Sequence, residues 1–236
     1  MGDDAPRTAV IVPAAGRGER LGPGAPKALR TLAGQPILLH AVSNLATARD
    51  VDLIVVAVPE ESVEESRALL VGIDLPVVIV SGGETRQDSV ARALLALPPE
   101  VDVVLVHDAA RPLVPADVVD RVASAVRGGA EAVIPTLGVI DTVKEVDDDG
   151  MVSATLDRSR LHAVQTPQGF SRDILQRAHA ASDGGDATDD AGMVERMGVR
   201  VTVVPGHEEA FKITRPLDLV LAEAILVRRR AAGGVN

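Results

Sequence analysis

Thr8-Ala9-Val10-Ile11-Val12-Pro13-Ala14-Ala15-Gly16-Arg17-Gly18-Glu19-Arg20-Leu21-Gly22 is the stretch that sets the fold class. Its first half, Thr8–Ala14, is a strand-length apolar run without polar alternation. That pattern marks a strand buried on both faces of a mostly parallel sheet. Its second half is small and glycine-rich, and a loop directly after such a strand is where open α/β sheets bind ligands. Similar runs recur at Leu53–Val58, Val77–Val80, Val101–Val106, Ala132–Pro135 and Val199–Val204. Between them lie segments with helical spacing: Gln87–Leu97, Ala116–Arg127 (Val118, Val119, Val122 and Val126 on one side) and Arg215–Arg228. Strand–helix alternation predicts a Rossmann-like α/β fold, a mostly parallel sheet with helices on both faces.

Gly138 to Leu156 breaks the rhythm. Thr142-Val-Lys-Glu-Val and Met151-Val-Ser-Ala-Thr flank the turn Asp147-Asp-Asp-Gly150, which is a β-hairpin signal. A hairpin inserted into a parallel α/β fold does not easily join the main sheet. We therefore expect residues 138–160 to form a projecting β-arm on a single domain spanning 1–236. Pairing with a second copy is a common way to cover exposed strand edges, so the arm predicts a homodimer.

Composition narrows the function. The 236 residues include two Phe and no Trp or Tyr, so the core must be aliphatic and base stacking on aromatic side chains is an unexpected recognition device. A net charge of −10 argues against a nucleic-acid binder. There are no cysteines, which excludes disulfides and thiolate chemistry. The N-terminus carries Asp3 and Asp4 and no long apolar run, and the other apolar runs are strand-length. A soluble cytoplasmic protein without membrane or nucleic-acid partners is the expectation.

Three strand ends carry chemistry. After the first strand, Ala14, Ala15, Gly16 and Gly18 offer backbone N–H groups as an anion cradle, and Arg20 and Lys27 add positive charge. Leu21 stands where the dinucleotide fingerprint needs Gly, and no Walker lysine pattern occurs. After Val77–Val80 comes Ser81-Gly82-Gly83-Glu84-Thr85-Arg86-Gln87-Asp88-Ser89. Gly82 and Gly83 permit close approach of a base or ribose, and Ser89 offers a hydroxyl; the segment also reads as a helix-capping turn. After Val101–Val106 comes His107-Asp108-Ala109-Ala110-Arg111-Pro112. Asp108 is placed to hold Mg²⁺, a hard cation that takes oxygen ligands. Ala109 and Ala110 leave the approach open. Arg111 could meet a substrate phosphate or pair structurally with Asp108. His107 reads as structural, not catalytic.

Together these blocks resemble a known family. Pro13-Ala-Ala-Gly16 with Gly18, Arg20 and Lys27 is shared by nucleotidyltransferases generally. Gly82-Gly83-x-x-Arg86-Gln-x-Ser89, His107-Asp-Ala-Ala-Arg-Pro112, Asp141-Thr-Val-Lys144, Thr166-Pro-Gln168, Thr188-Asp189 and Phe211-Lys-Ile-Thr-Arg-Pro216 resemble the 2-C-methyl-D-erythritol 4-phosphate cytidylyltransferase family of the isoprenoid route. The resemblance implies a homodimeric enzyme joining CTP to methylerythritol phosphate with Mg²⁺. It implies nucleotide contacts at Pro13, Ala14, Ala15, Gly16, Gly18, Gly82, Gly83, Ser89, Asp108 and Ala109, with Asp108 as the metal ligand. Catalytic cations would be Arg20, Lys27, Arg158 and Lys212. Acceptor contacts would be Ala110, Arg111, Thr142, Arg158, Thr166 and Lys212, with Thr142 and Arg158 reaching into the partner's site. Rival readings are a cytidylyltransferase for another polyol phosphate such as ribitol 5-phosphate, where Ala110 favours methylerythritol; a sugar or molybdopterin nucleotidyltransferase; and a non-catalytic nucleotide sensor. The chain departs from the family's usual pattern in having no aromatic residue near His162 and Gly169 where bulkier residues are common.

Overall fold

The computed structural model describes residues 7–16, 30–181 and 189–233. In chain order the elements are β1 (Arg7–Pro13), the short pair β2 (Thr31–Leu32) and β3 (Gln35–Pro36), α1 (Ile37–Ala46), β4 (Leu53–Val58), α2 (Val63–Leu69), β5 (Val77–Ser81), α3 (Arg86–Leu95), β6 (Val101–Val106) and α4 (Ala116–Arg127). There follow β7 (Ala132–Gly138), β8 (Lys144–Val146), β9 (Val152–Thr155), β10 (His162–Val164), β11 (Gln168–Ser171), α5 (Arg172–Ala180), α6 (Asp190–Arg196), β12 (Val201–Pro205) and α7 (Pro216–Gly233). The six strands and three helices expected from the apolar pattern are all present, and α4 has the expected bounds.

Among the described residues, eight strands form one mixed sheet. The strands β5, β4, β1 and β6 lie side by side and parallel. β11 then pairs antiparallel with both β6 and β7, so β7 runs in the same direction as β6. β12 pairs parallel with β7, and β10 pairs antiparallel with its C-terminal part. The two antiparallel strands left no pattern in the sequence: β11 reads Gln-Gly-Phe-Ser, with one large apolar residue.

Continuous apolar strands bury both faces, as their composition requires. From β1, Val10 and Val12 pack with Leu38, Val42 and Leu45 of α1 and Val118, Val119 and Val122 of α4. Ala9 and Ile11 face the other way, toward Val90, Ala93 and Leu94 of α3, Ile174 and Leu175 of α5, and Met193 and Val194 of α6. The core is aliphatic as expected, with Phe170 fully buried on this second face. A smaller cluster seats α7, through Ala222, against Leu32, Ile37, Leu113 and Ile213.

β8 and β9 pair only with each other, as a hairpin separate from the main sheet. Its turn is closed by Asp147: the N–H of Met151 donates to Oδ1 at 2.8 Å, and Gly150 takes φ +79°. Ile140, Val146, Met151 and Val152 on and beside this arm are exposed. No helix among the described residues is long and apolar enough to cross a membrane.

Gly169 shows why a bulkier residue does not fit here. A Cβ at this position would lie 2.6 Å from Cγ1 of Val122 and 3.0 Å from Cδ2 of Leu105 and Cγ2 of Val126. The glycine lets α4 sit close against β11. Gly169→Ala should therefore overpack this contact and cost about 1–3 kcal/mol, read as a lower urea midpoint with an unchanged slope. A variant as stable as the parent would show that α4 shifts freely.

Candidate active site

The carboxyl ends of β1, β5 and β6 come together because these strands are parallel neighbours, with only β4 between β1 and β5. The loops continue the ladders by backbone bonds: Ala14 N–H to Ala57 O at 2.7 Å, Gly82 N–H to Val58 O at 2.7 Å, and His107 N–H to Ile11 O at 2.8 Å. Pro13, Ala14, Ala15 and Gly16 thus stand beside the β5 loop, and among the described residues nothing lies within 4 Å of a Cβ built on Gly16. Gly18, Arg20 and Lys27 lie outside the described residues.

The glycines of the second loop have a packing role. A Cβ on Gly82 would lie 2.7 Å from Cβ of Ala15, and one on Gly83 2.2 Å from Cβ of Asp88. Ser89 is buried; its Oγ accepts from Gly83 N–H at 3.1 Å and donates to Thr85 O at 2.9 Å. Thr85 and Asp88 form a reciprocal capping box at the start of α3. The capping reading holds, and the space at the two glycines is taken by Ala15 and Asp88.

Asp108 is the electrostatic centre. Its side chain is 12% exposed. Oδ1 accepts from Nε of Arg86 at 3.2 Å, Oδ2 accepts from Nζ of Lys212 at 2.7 Å, and Nε of Arg111 lies 4.0 Å away. Burial pushes the carboxyl up, but Arg86 and then Lys212 outweigh it and hold the group well below the usual carboxylate range. Lys212 reaches this position because its segment is stitched to the β6 loop: Ile213 N–H donates to Ala110 O, and Nη1 of Arg111 donates to Ala210 O, both at 2.8 Å. Arg111 also donates to Val164 O at 3.2 Å. Its guanidinium is thus spent mainly on backbone carbonyls, and the nearest cations to Asp108 are Arg86 and Lys212.

Thr166 and His107 hold the loop's shape. Asp108 N–H donates to Oγ1 of Thr166 at 3.1 Å, which lies 3.1 Å from Nδ1 of His107; Nε2 of His107 lies 3.1 Å from Arg111 O. A carbonyl can only accept, so Nε2 carries the proton and Nδ1 accepts from Thr166. One neutral tautomer satisfies the whole chain of bonds. Burial holds His107 down at about 4, against the pull of Asp108.

Thr142 and Arg158 are exposed, beside the arm. Arg158, in a 3₁₀ turn over Arg158–Arg160, donates to Ile140 O. The fold does not bring either residue to Asp108 by a direct bond among the described residues. Arg86 had no role assigned from sequence, and Asp190 and His179 carried no signal at all. Yet Arg86 bridges Asp108 and the fully buried Asp190, which it meets at 2.6 Å as an ion pair. Asp108 thus meets Arg86, Arg111 and Lys212, and Asp190 meets Arg86, three cations to two carboxylates.

A magnesium ion retains waters and takes phosphate oxygens, so one or two protein carboxylates suffice for it; the carboxylate at this strand end is Asp108, whose two oxygens are paired with Arg86 and Lys212. No group of three or more His or acidic side chains among the described residues forms a fuller cage.

Comparison with known proteins gives one consistent family. Residues 8–228 match the family model for 2-C-methyl-D-erythritol 4-phosphate cytidylyltransferase. The enzyme of that name from Streptomyces avermitilis is 59% identical, covering 97% of this chain and 95% of its own. That from Streptomyces coelicolor is 58% identical over 97% of this chain and 88% of its own. Among solved structures, the Thermus thermophilus enzyme aligns with TM-score 0.75 and 37% identity over 93% and 98% of the two chains. The 4-diphosphocytidyl-2C-methyl-D-erythritol synthase of Anaerococcus prevotii aligns with TM-score 0.84 and 29% identity over 95% and 98%.

The linkage of His107 can be measured. Unfolded, it takes a proton below about pH 6.5; folded, it resists until about 4. The unfolded chain therefore binds more protons in that window, and stability falls as pH drops through it, by up to about 3 kcal/mol. Urea titrations of His107→Gln between pH 7 and 4 should show a shallower decline than the parent; parallel curves would mean that the buried imidazole contributes nothing to it.

Proposed function

The chain belongs to the 2-C-methyl-D-erythritol 4-phosphate cytidylyltransferase family, and from that premise we infer how its own residues perform the transfer. The enzyme moves CMP from CTP to 2-C-methyl-D-erythritol 4-phosphate, giving the CDP-linked methylerythritol and pyrophosphate in isoprenoid precursor synthesis. The observation that carries the site reading is the meeting of Asp108, Lys212, Arg86 and the β1 loop at the carboxyl ends of neighbouring parallel strands.

A phosphate oxygen of the acceptor attacks the α-phosphorus of CTP in line, and pyrophosphate leaves. The acceptor's phosphate is already a nucleophile at neutral pH, so no general base is needed. Catalysis then consists of positioning and of stabilising negative charge that spreads in the transition state. The loop residues Pro13, Ala14, Ala15, Gly16 and Gly18 line the triphosphate, with the backbone N–H groups of Ala15, Gly16 and Gly18 as its cradle, since Ala14 N–H is held by Ala57 O and proline has none. Arg20 and Lys27 neutralise it. Gly82, Gly83 and Ser89 wall the cytidine pocket, and Ala109 keeps the approach to Asp108 small. Asp108 would hold Mg²⁺, which supplies positive charge at the phosphate oxygens when bound. Lys212 and Arg158 hold the attacking phosphate. Thr166 and Arg111 act by fixing the loop that carries Asp108 and Ala110, the roles their hydrogen bonds support.

The exposed apolar residues of the arm support a homodimer in which Thr142 and Arg158 complete the partner's site. Dependence on CTP supports work in the cytoplasm.

Pyrophosphate release should be measured with CTP and Mg²⁺, offering methylerythritol 4-phosphate and ribitol 5-phosphate in parallel. Turnover is expected with the first; turnover with the second alone would overturn the acceptor. Lys212→Ala or Lys27→Ala should lower kcat on the order of 10²–10³-fold, and a parental rate would remove the residue from the mechanism. Subunit complementation tests the shared site. Mixing inactive Arg158→Ala with inactive Lys212→Ala should restore about a quarter of the activity, from the one intact site in each heterodimer. No recovery after subunit exchange would confine Arg158 to its own subunit.

A further inference from the structure

Asp190 is the first residue of α6, and its carboxylate is completely buried. One oxygen accepts from Nε2 of His179 at 3.1 Å, and the other meets Nη1 of Arg86 at 2.6 Å. Its seat is rigid. Gln168 on β11 donates to Asp189 at 2.7 Å and accepts from Ala191 N–H at 3.1 Å, while Asp189 caps α6 by accepting from Gly192 N–H at 2.9 Å. Burial pushes the Asp190 carboxyl up, but the His179 bond and Arg86 outweigh this and keep it ionised.

A buried charge pair is weak as a stabilising device, because desolvation offsets much of the attraction and apolar replacements often match it. What the pair does supply is direction. Arg86 has a long, flexible side chain that would otherwise sample many rotamers. With Nη1 pinned on Asp190, its Nε is aimed at Oδ1 of Asp108, 3.2 Å away. A single guanidinium thus links the start of α6, the start of α3 and the end of β6.

Resting on the site reading above, we propose that Asp190 is a positioning residue for the transfer: by clamping Arg86 it orients the Asp108 carboxylate for the nucleotide, acting chiefly on CTP, because Lys212, the acceptor contact that shares Asp108, is seated separately by the bond from Ile213 N–H to Ala110 O. His179 and Gln168 support the clamp from behind.

The test is a double-mutant cycle on the full-length enzyme with Asp190→Asn, Arg86→Ala and the combination. CTP affinity with Mg²⁺ is read by calorimetry, and kcat and KM are read for each substrate. Asp190→Asn should lower kcat/KM for CTP on the order of 10–10²-fold, weaken CTP binding in calorimetry, and leave the acceptor KM within about twofold. In the Arg86→Ala background, Asp190→Asn should cause no further loss, since the clamp has nothing left to hold. Additive losses, or equal effects on both substrates, would overturn the proposal. If Asp190→Asn does not fold, Arg86→Lys carries the test, because one ammonium cannot span both carboxylates. The same CTP-specific loss is then expected, and a loss shared by both substrates overturns it. An inactive parent enzyme would instead indict the assigned reaction, so the two failures are distinguishable.

Discussion

A carboxylate buried at the end of the sheet's central strand is the constraint around which this site is arranged. Asp108 cannot sit there unneutralised, since an unpaired buried charge is among the costliest features a fold can contain. Arg86 comes to it from the start of α3, Lys212 from the segment before α7, and Arg111 from its own loop. Each cation needs its backbone held in turn. The capping box at Thr85 and Asp88, the Ile213–Ala110 bond and the Thr166–His107 relay all serve that end.

This arrangement explains how a chain with net charge −10 binds anions. Bulk charge sets solubility and long-range repulsion, but a ligand in a cleft responds to the local field. Three cations meet two carboxylates around Arg86 and Asp108, a local charge balance opposite in sign to that of the chain. The small side chains around them matter equally. Gly82 and Gly83 let the β5 loop touch Ala15 and α3, a close approach that leaves no room for larger side chains there.

The arm follows a different logic. Among the described residues its strands β8 and β9 pair only with each other, and it exposes Ile140, Val146, Met151 and Val152. Arg158 turns back onto Ile140 instead of joining the Asp108 cluster. Within one chain Lys212 is bonded to Asp108, whereas Arg158 is bonded to the arm.

What the sequence determined by itself was everything governed by local patterning. Unbroken Val/Ile/Leu runs specified the buried parallel strands, helical spacing specified α4 to its bounds, and an alternating pair about Asp147–Gly150 specified the arm. Strand ends rich in Gly and Ala, with Asp108 after β6, pointed to the carboxyl edge of the sheet as the candidate site. Only the tertiary structure decided which charges meet. Arg86, Asp108, Asp190 and Lys212 lie far apart along the chain, and Asp190 reads in sequence like any polar helix start. It likewise decided that Arg111 and Thr166 hold the loop and that β11 inserts antiparallel between β6 and β7. Periodicity reports which face of a segment is apolar, but the burial and pairing of a charge depend on what other segments bring against it.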